Sequence, residues 1–371
     1  MLLSGVLAAA LAGQARAQEL NAALGELVTA VPRSGLTEPE LEVTVYKPPG
    51  DGPFPIVVIN HGRAVGNAKL QPRYRPELAA REFLRRGYAV VVPMRQGFSN
   101  SGGREVSPGC NVASNGNQQA KSVRRTLDWL ETQPWADVSR NIVMGQSHGG
   151  LSTLAYGTYP HPGTRLLVNF AGGLRQNDCP GWQNSLVRAI GGYGADTTLP
   201  SLWFYGDNDS YFSPDIFRAA HERYVAAGGP AELVAYGSFG SDAHAMFGSR
   251  AGLGIWVPKV TEAMARLGLP VQRRLAIAEP ADLPAPAASG FAAIDALDRL
   301  PVRSDRAREG YSAWLSAESP KAFAVHPTKG SWASAWGGAR PIARALANCE
   351  KFAQDPCKLY AVDDTVVWSP E

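Results

Sequence analysis

Between residues 41 and 267, short β-branched or apolar runs alternate with longer stretches of helical periodicity, and few folds accommodate that alternation. Residues 56–59 (Ile-Val-Val-Ile) and 89–92 (Ala-Val-Val-Val) are continuous apolar runs, the pattern of strands covered on both faces. Residues 142–144, 166–170, 202–205 and 233–236 repeat it. Leu41, Val43 and Val45 alternate instead with polar residues, which predicts a half-exposed strand. Residues 77–86 read as a helix stopped by Gly87, and Val123, Leu127 and Leu130 fall on one face of another. Residues 215–226 and 255–267 add two more. Strands separated by helices of this length predict an α/β protein with a mostly parallel sheet and helices on both faces. Such a sheet places its site at the carboxyl ends of the strands.

The alternation ends in a Pro- and Ala-rich stretch containing Pro280, Pro284 and Pro286, the composition of an interdomain linker. The expected organisation is a leader at 1–17, a catalytic domain at 24–272, a linker at 273–288 and a small α+β domain at 289–371. In the last segment, helices are expected near 303–315 and 341–347. A strand is expected at 323–325, with a terminal hairpin of 358–362 and 365–368 turning at Asp363-Asp364. Trp332 and Trp336 are either exposed aromatics or part of that domain's core.

Residues 2–12 form an apolar run followed by Ala15-Arg16-Ala17, a small-x-small pattern before Gln18. That is the shape of an export signal, too short to span a membrane, although no Lys or Arg precedes the run. Four cysteines, which permit three pairings, agree with an oxidising compartment, periplasmic or secreted. Cys349 and Cys357 lie close together in the terminal segment and are expected to pair, leaving Cys110 to pair with Cys179. The net charge of +3, without basic blocks, excludes the footprint of a nucleic-acid binder. No His/Cys/Asp cluster has metal-ligand spacing and no G-x-G-x-x-G follows a strand, so neither metal nor cofactor is expected.

The chemistry is concentrated in Gly145-Gln146-Ser147-His148-Gly149, a G-x-S-x-G motif between the strand at 142–144 and a helical segment. A serine on so sharp a turn has strained backbone angles, and its neighbours two residues away must be small. A serine hydroxyl is a weak nucleophile and needs a base, which in turn needs orienting. Among six histidines, His244 stands in the loop after the strand at 233–236. Gly206-Asp207-Asn208-Asp209 follows the strand at 202–205, so both aspartates sit at a strand's carboxyl end. Asn60-His61-Gly62-Arg63 ends an early strand and offers backbone N–H groups to an oxyanion.

On His61-Gly62, the 145–149 motif, Asp209 and His244, the segment 41–267 resembles the α/β-hydrolase superfamily, in its dienelactone-hydrolase-like and esterase branch. Dienelactone hydrolase proper carries a cysteine where this chain has Ser147. The resemblance implies Ser147 as nucleophile, His244 as base and Asp209, rather than Asp207, as the residue orienting the base. It also implies an oxyanion hole made by the N–H groups of His148 and of Arg63 or Gly62. His61 and His148 side chains are expected to pack around the turn. The loop 95–117 and the segment 174–193 are expected to wall the site. The segment after the last cysteine pair resembles small domains of exported bacterial proteins.

The function expected from these residues is hydrolysis of a carboxylic ester, small or polymer-borne, through an acyl-enzyme. A peptidase of the prolyl-oligopeptidase type shares the turn and the residue order. A non-catalytic envelope-binding protein on the same scaffold is the reading from another class.

Overall fold

The computed structural model describes residues 20–106, 109–278, 281–317 and 319–370. The expected export signal at 1–17 lies outside the described residues. An eight-stranded sheet dominates, in the order β1-β2-β4-β3-β5-β6-β7-β8. Its strands are β1 (Glu26–Val31), β2 (Leu41–Tyr46), β3 (Phe54–Asn60), β4 (Ala89–Pro93), β5 (Ala136–Gln146), β6 (Thr164–Phe170), β7 (Ser201–Tyr205) and β8 (Ala231–Ala235). The pairings of β2 with β1 and with β4 are antiparallel, and all the others are parallel.

Alternate residues of each central strand feed two separate cores, as the two-residue period of a strand demands. Ile56, Val58 and Val143 face a core shared with α2 (Val112–Leu130), α3 (His148–Tyr156), α4 (Trp182–Ala195) and α5 (Pro214–Ala226). Val57, Ile59, Ile142 and Met144 face the opposite core, closed by α1 (Glu77–Leu84) and α6 (Leu253–Arg266). Apolar demand on both faces is why these strands read as unbroken apolar runs.

β2 departs from expectation. Leu41, Val43 and Val45 are fully buried, but so are Thr44 and Tyr46. The polar positions of the alternation are occupied by partners rather than solvent: Arg73 Nη1 donates to Thr44 Oγ1 at 2.7 Å, and Asn100 Nδ2 to Glu42 at 2.7 Å. β1, which the sequence reading missed, covers the outer edge of β2.

The second sheet is antiparallel, in the order β10-β9-β11-β12, from β9 (Lys321–Val325), β10 (Trp332–Trp336), β11 (Lys358–Val362) and β12 (Thr365–Val366). α7 (Asp305–Leu315) and α8 (Pro341–Ala353) cover its two faces. The two tryptophans separate: Trp332 stacks on Phe323 with ring centroids 5.3 Å apart, while Trp336 is 42% exposed. Cys349 is joined to Cys357, tying α8 to the start of β11.

No helix or strand occupies the described part of 273–288. The stretch is nevertheless pinned at both ends. Arg274 N–H and Leu275 N–H donate to Arg85 O, and Asp282 accepts from the first N–H groups of α8 at Ile342 and Ala343. A buried ionic relay joins the two sheets' domains: Arg340 pairs with Glu77, Glu77 with Arg75, and Arg75 with Glu26. Burial alone would raise the Glu26 pKa, but the bonds from Arg75, Asn21 N–H and Arg73 hold it below the ordinary carboxylate value.

Candidate active site

β5 runs into Ser147 and α3 leaves it, so the serine occupies the turn between strand and helix. Its backbone sits at φ 56° and ψ −125°, a conformation costly for any side-chain-bearing residue. Packing enforces the turn. A Cβ at Gly145 would lie 2.3 Å from Gly149 O, and one at Gly149 would lie 2.2 Å from Asn60 O. The small residues flanking Ser147 are thus a steric requirement, because the strand, the helix and the β3 loop approach one another through them. Ser147 N–H donates to Phe170 O at 2.9 Å, and Ser147 O accepts from Gly173 N–H at 3.0 Å, fixing the turn to the end of β6.

The loop after β7 carries Asp209, whose carboxylate is fully buried. Its Oδ1 accepts from the N–H groups of Tyr211 and Phe212 at 2.8 and 3.0 Å. Its Oδ2 lies 2.9 Å from His244 Nδ1. Asp207 is exposed, and no hydrogen bond joins its side chain to His244 among the described residues. Asp242 serves a third purpose: it accepts from His244 N–H at 2.9 Å and from Ser210 Oγ at 2.6 Å, shaping the loop that presents the imidazole. Gln146, beside the serine, donates to His244 O at 2.6 Å and brings that loop against the turn. No hydrogen bond between Ser147 Oγ and His244 Nε2 is present among the described residues; such bonds often close only when substrate binds.

The loop after β3 faces the serine. A Cβ at Gly62 would stand 3.5 Å from Ser147 Cβ, and the backbone N–H groups of Gly62 and Arg63 meet no acceptor among the described residues. Behind that loop lies Arg95, fully buried, which sequence reading did not single out. Its guanidinium donates to His61 O, to Gly62 O at 3.4 Å and to Gln119 Oε1 at 3.0 Å, and stands 3.5 Å from His148 Nδ1. One side chain therefore holds both edges of the space in front of Ser147. Burial pushes its pKa down to about 9, against the partly offsetting charge of Glu105.

The two flanking histidines are also buried. His61 Nε2 accepts from Arg95 N–H at 3.0 Å, and His148 Nε2 lies 2.6 Å from Asn115 Oδ1. Burial, and then the Arg95 charge, holds both imidazoles well below their ordinary pKa. Both rings are thus engaged by partners inside the fold. His221, on α5, is half-buried: its ring meets Trp203 edge-on at 5.3 Å, and its Nε2 lies 3.2 Å from Ala231 O. His161 lies 2.7 Å from Glu131, on α2's far end.

The expected loop 95–117 ends earlier, because α2 begins at Val112; Cys110, just before α2, is joined to Cys179, just before α4, so the starts of the two helices form one rim. Arg63 pairs with Glu105, linking the same rim to the β3 loop. An open cavity of about 400 Å³, lined by Val65, Arg175, Asn177, Ser210 and Tyr211, lies at this end of the sheet. A smaller one of about 230 Å³ lies at the opposite end, near Pro200 and Pro230, away from Ser147. Among the described residues no three His, Cys, Asp or Glu side chains gather as a metal site, and no helix is long and apolar enough to cross a membrane.

A sequence profile described as X-Pro dipeptidyl-peptidase (S15 family) matches residues 39–210, which include Ser147 and Asp209 but stop short of His244. The match covers less than half of the chain, and the large sheet with its flanking helices has the α/β-hydrolase fold. Among solved structures, a Klebsiella pneumoniae protein described as a dienelactone hydrolase is 18% identical over 65% of this chain and 98% of its own, with a TM-score of 0.47. An esterase from Pyrococcus furiosus is 16% identical, covering 66% of this chain and 91% of its own, with a TM-score of 0.47. An acylaminoacyl peptidase from Pyrococcus horikoshii is 15% identical, covering 68% of this chain and 43% of its own, with a TM-score of 0.49. No curated protein matches the chain.

Proposed function

We propose that the chain is an exported serine hydrolase, periplasmic or secreted, that cleaves a carboxylic ester through an acyl-enzyme on Ser147. The observation that carries this reading is the buried Asp209 carboxylate bonded to His244 Nδ1, beside a serine held at positive φ against Gly62. His244 Nε2 takes the Ser147 proton as Oγ attacks the carbonyl carbon. Asp209 keeps the imidazole in the tautomer that leaves Nε2 free and stabilises the imidazolium that forms. The N–H groups of His148 and of Arg63 or Gly62 receive the oxyanion, and Arg95 keeps their loop in place. His244 returns the proton to the departing alcohol, then activates water to release the acid and restore the serine. Two disulfides support export.

The match to a dipeptidyl-peptidase profile favours a second reading, peptide hydrolysis by the same residues. An enzyme that removes dipeptides must receive a free N-terminal ammonium, which calls for carboxylates in the cleft. The five residues lining the cavity include one cation and no carboxylate, which supports the ester over the peptide. Turnover of p-nitrophenyl esters from acetate to octanoate, beside an X-Pro p-nitroanilide, tests the choice. Ester turnover that disappears in Ser147→Ala supports the proposal. Faster release from the anilide than from every ester would establish the peptidase instead.

A further inference from the structure

The cavity of about 400 Å³ is built by the loops that follow β3, β6 and β7, the same end of the sheet at which Ser147 sits. Tyr211 forms the wall nearest the chemistry. Its ring lies 4.4 Å from the His244 ring, and its N–H donates to Asp209 Oδ1. Val65, 91% exposed, supplies an apolar surface from the β3 loop.

Arg175 is the cation of this cleft, and three neutral groups orient it. Nε donates to Asn177 Oδ1 at 2.9 Å, Nη1 donates to Ser210 O at 3.0 Å, and the guanidinium carbon stands 5.9 Å from the Tyr211 ring centroid. No carboxylate pairs with it among the described residues. Asp242 is engaged by Ser210 and by His244 N–H, and Glu105 by Arg63. Asp178, in the same segment, is exposed and makes no ion pair with it among the described residues. An exposed arginine ordinarily loses rotamer freedom when it binds an anion; here that freedom is already spent. The fork geometry of a guanidinium suits a carboxylate in particular.

We propose that Arg175 is a specificity-determining residue that receives a carboxylate of the substrate. The preferred substrate is then an ester that also carries a free carboxylate, with an apolar connecting chain lying along Tyr211 and Val65. This inference rests on the ester reading above.

The test compares mono-p-nitrophenyl adipate with its methyl-capped neutral analogue, methyl p-nitrophenyl adipate, in wild type, Arg175→Gln and Arg175→Lys. The expected result is a preference for the anionic ester in kcat/KM that falls about tenfold in Arg175→Gln and is partly kept in Arg175→Lys. An anionic-to-neutral ratio unchanged by Arg175→Gln overturns the proposal and leaves the ester reading standing. Should neither ester be turned over, the ester reading fails, and calorimetric binding of monomethyl adipate decides the anion site alone. Binding weakened by Arg175→Gln supports the site, and no binding to wild type overturns it.

Discussion

Buried polar side chains gather at the carboxyl end of the large sheet, where His61, Arg95, Asn115, Gln119, His148 and Asp209 are all less than a tenth exposed. The small domain buries polar side chains too, at Lys321 and His326. There they complete the chain's own backbone: Lys321 Nζ donates to Leu315 O at 2.8 Å, and His326 Nδ1 accepts from the N–H groups of Thr328 and Lys329. At the large sheet the same kind of burial does something else. Arg95 occupies the carbonyls of His61 and Gly62 while the N–H groups of Gly62 and Arg63 stay unclaimed. One region uses buried polarity to finish a fold, and the other uses it to keep donors available in front of a strained serine. That contrast supports placing the proposed chemistry at the large sheet rather than the small one.

Two aspartates within one turn should differ most. Asp209→Asn is expected to lower kcat on p-nitrophenyl butyrate about ten-thousand-fold. Asp207→Asn, two residues away and exposed, should change it less than threefold. Equal losses in both variants would mean that the bond to His244 is not what matters.

The disulfides give the next largest effect. Cys110–Cys179 spans a sequence separation of 69 and Cys349–Cys357 a separation of 8. Chain entropy predicts losses of about 4 and about 2–3 kcal/mol when each pair is replaced by serines. Urea unfolding measures both, and a larger loss at the small domain would reverse the ranking.

Arg95→Gln should lower kcat about a hundredfold with little change in KM, since the donors it positions act on the transition state. A rise in KM at constant kcat would make Arg95 part of ground-state binding instead.

The smallest effect is one of pH. His61 and His148 are held neutral in the folded state, well below the ordinary value of 6.5, by burial and by Arg95. Below that value the unfolded chain takes up protons that the native state refuses. Their contribution to stability is therefore complete above pH 6.5 and is lost progressively as pH falls beneath it. The urea midpoint should drop between pH 7.5 and 5.5, and a flat midpoint would contradict the assignment.

Sequence carried the parts of this account that rest on strict periodicity or steric necessity. The runs at 56–59 and 142–144 are apolar because each strand feeds two cores, and Gly145 and Gly149 are glycine because backbone crowds them. β1 went unread because only its end residues, Glu26 and Val31, are buried, so neither an apolar alternation nor an apolar run marks it. α4 went unread because it is rich in glycine, which disfavours helices in isolation. A Cβ at Gly194 would lie 2.3 Å from Tyr224 O, so tight packing against α5 outweighs propensity there. Arg95 was illegible for a different reason. Within Pro93-Met94-Arg95-Gln96 nothing distinguishes an arginine headed for solvent from one threaded under a loop, and its four partners come from three separate parts of the chain. Asp207 and Asp209 could be ranked only by resemblance, because the choice depends on which carboxylate the His244 loop folds over.

Activation of Ser147 as a nucleophile by His244 can be read from intact-mass analysis after exposure to a fluorophosphonate. A single phosphonyl adduct is expected on the folded wild type, located at Ser147 by peptide mapping, with none on Ser147→Ala and greatly slowed labelling of His244→Ala. An unlabelled wild type with both disulfides formed, or an adduct at any other serine, would contradict it.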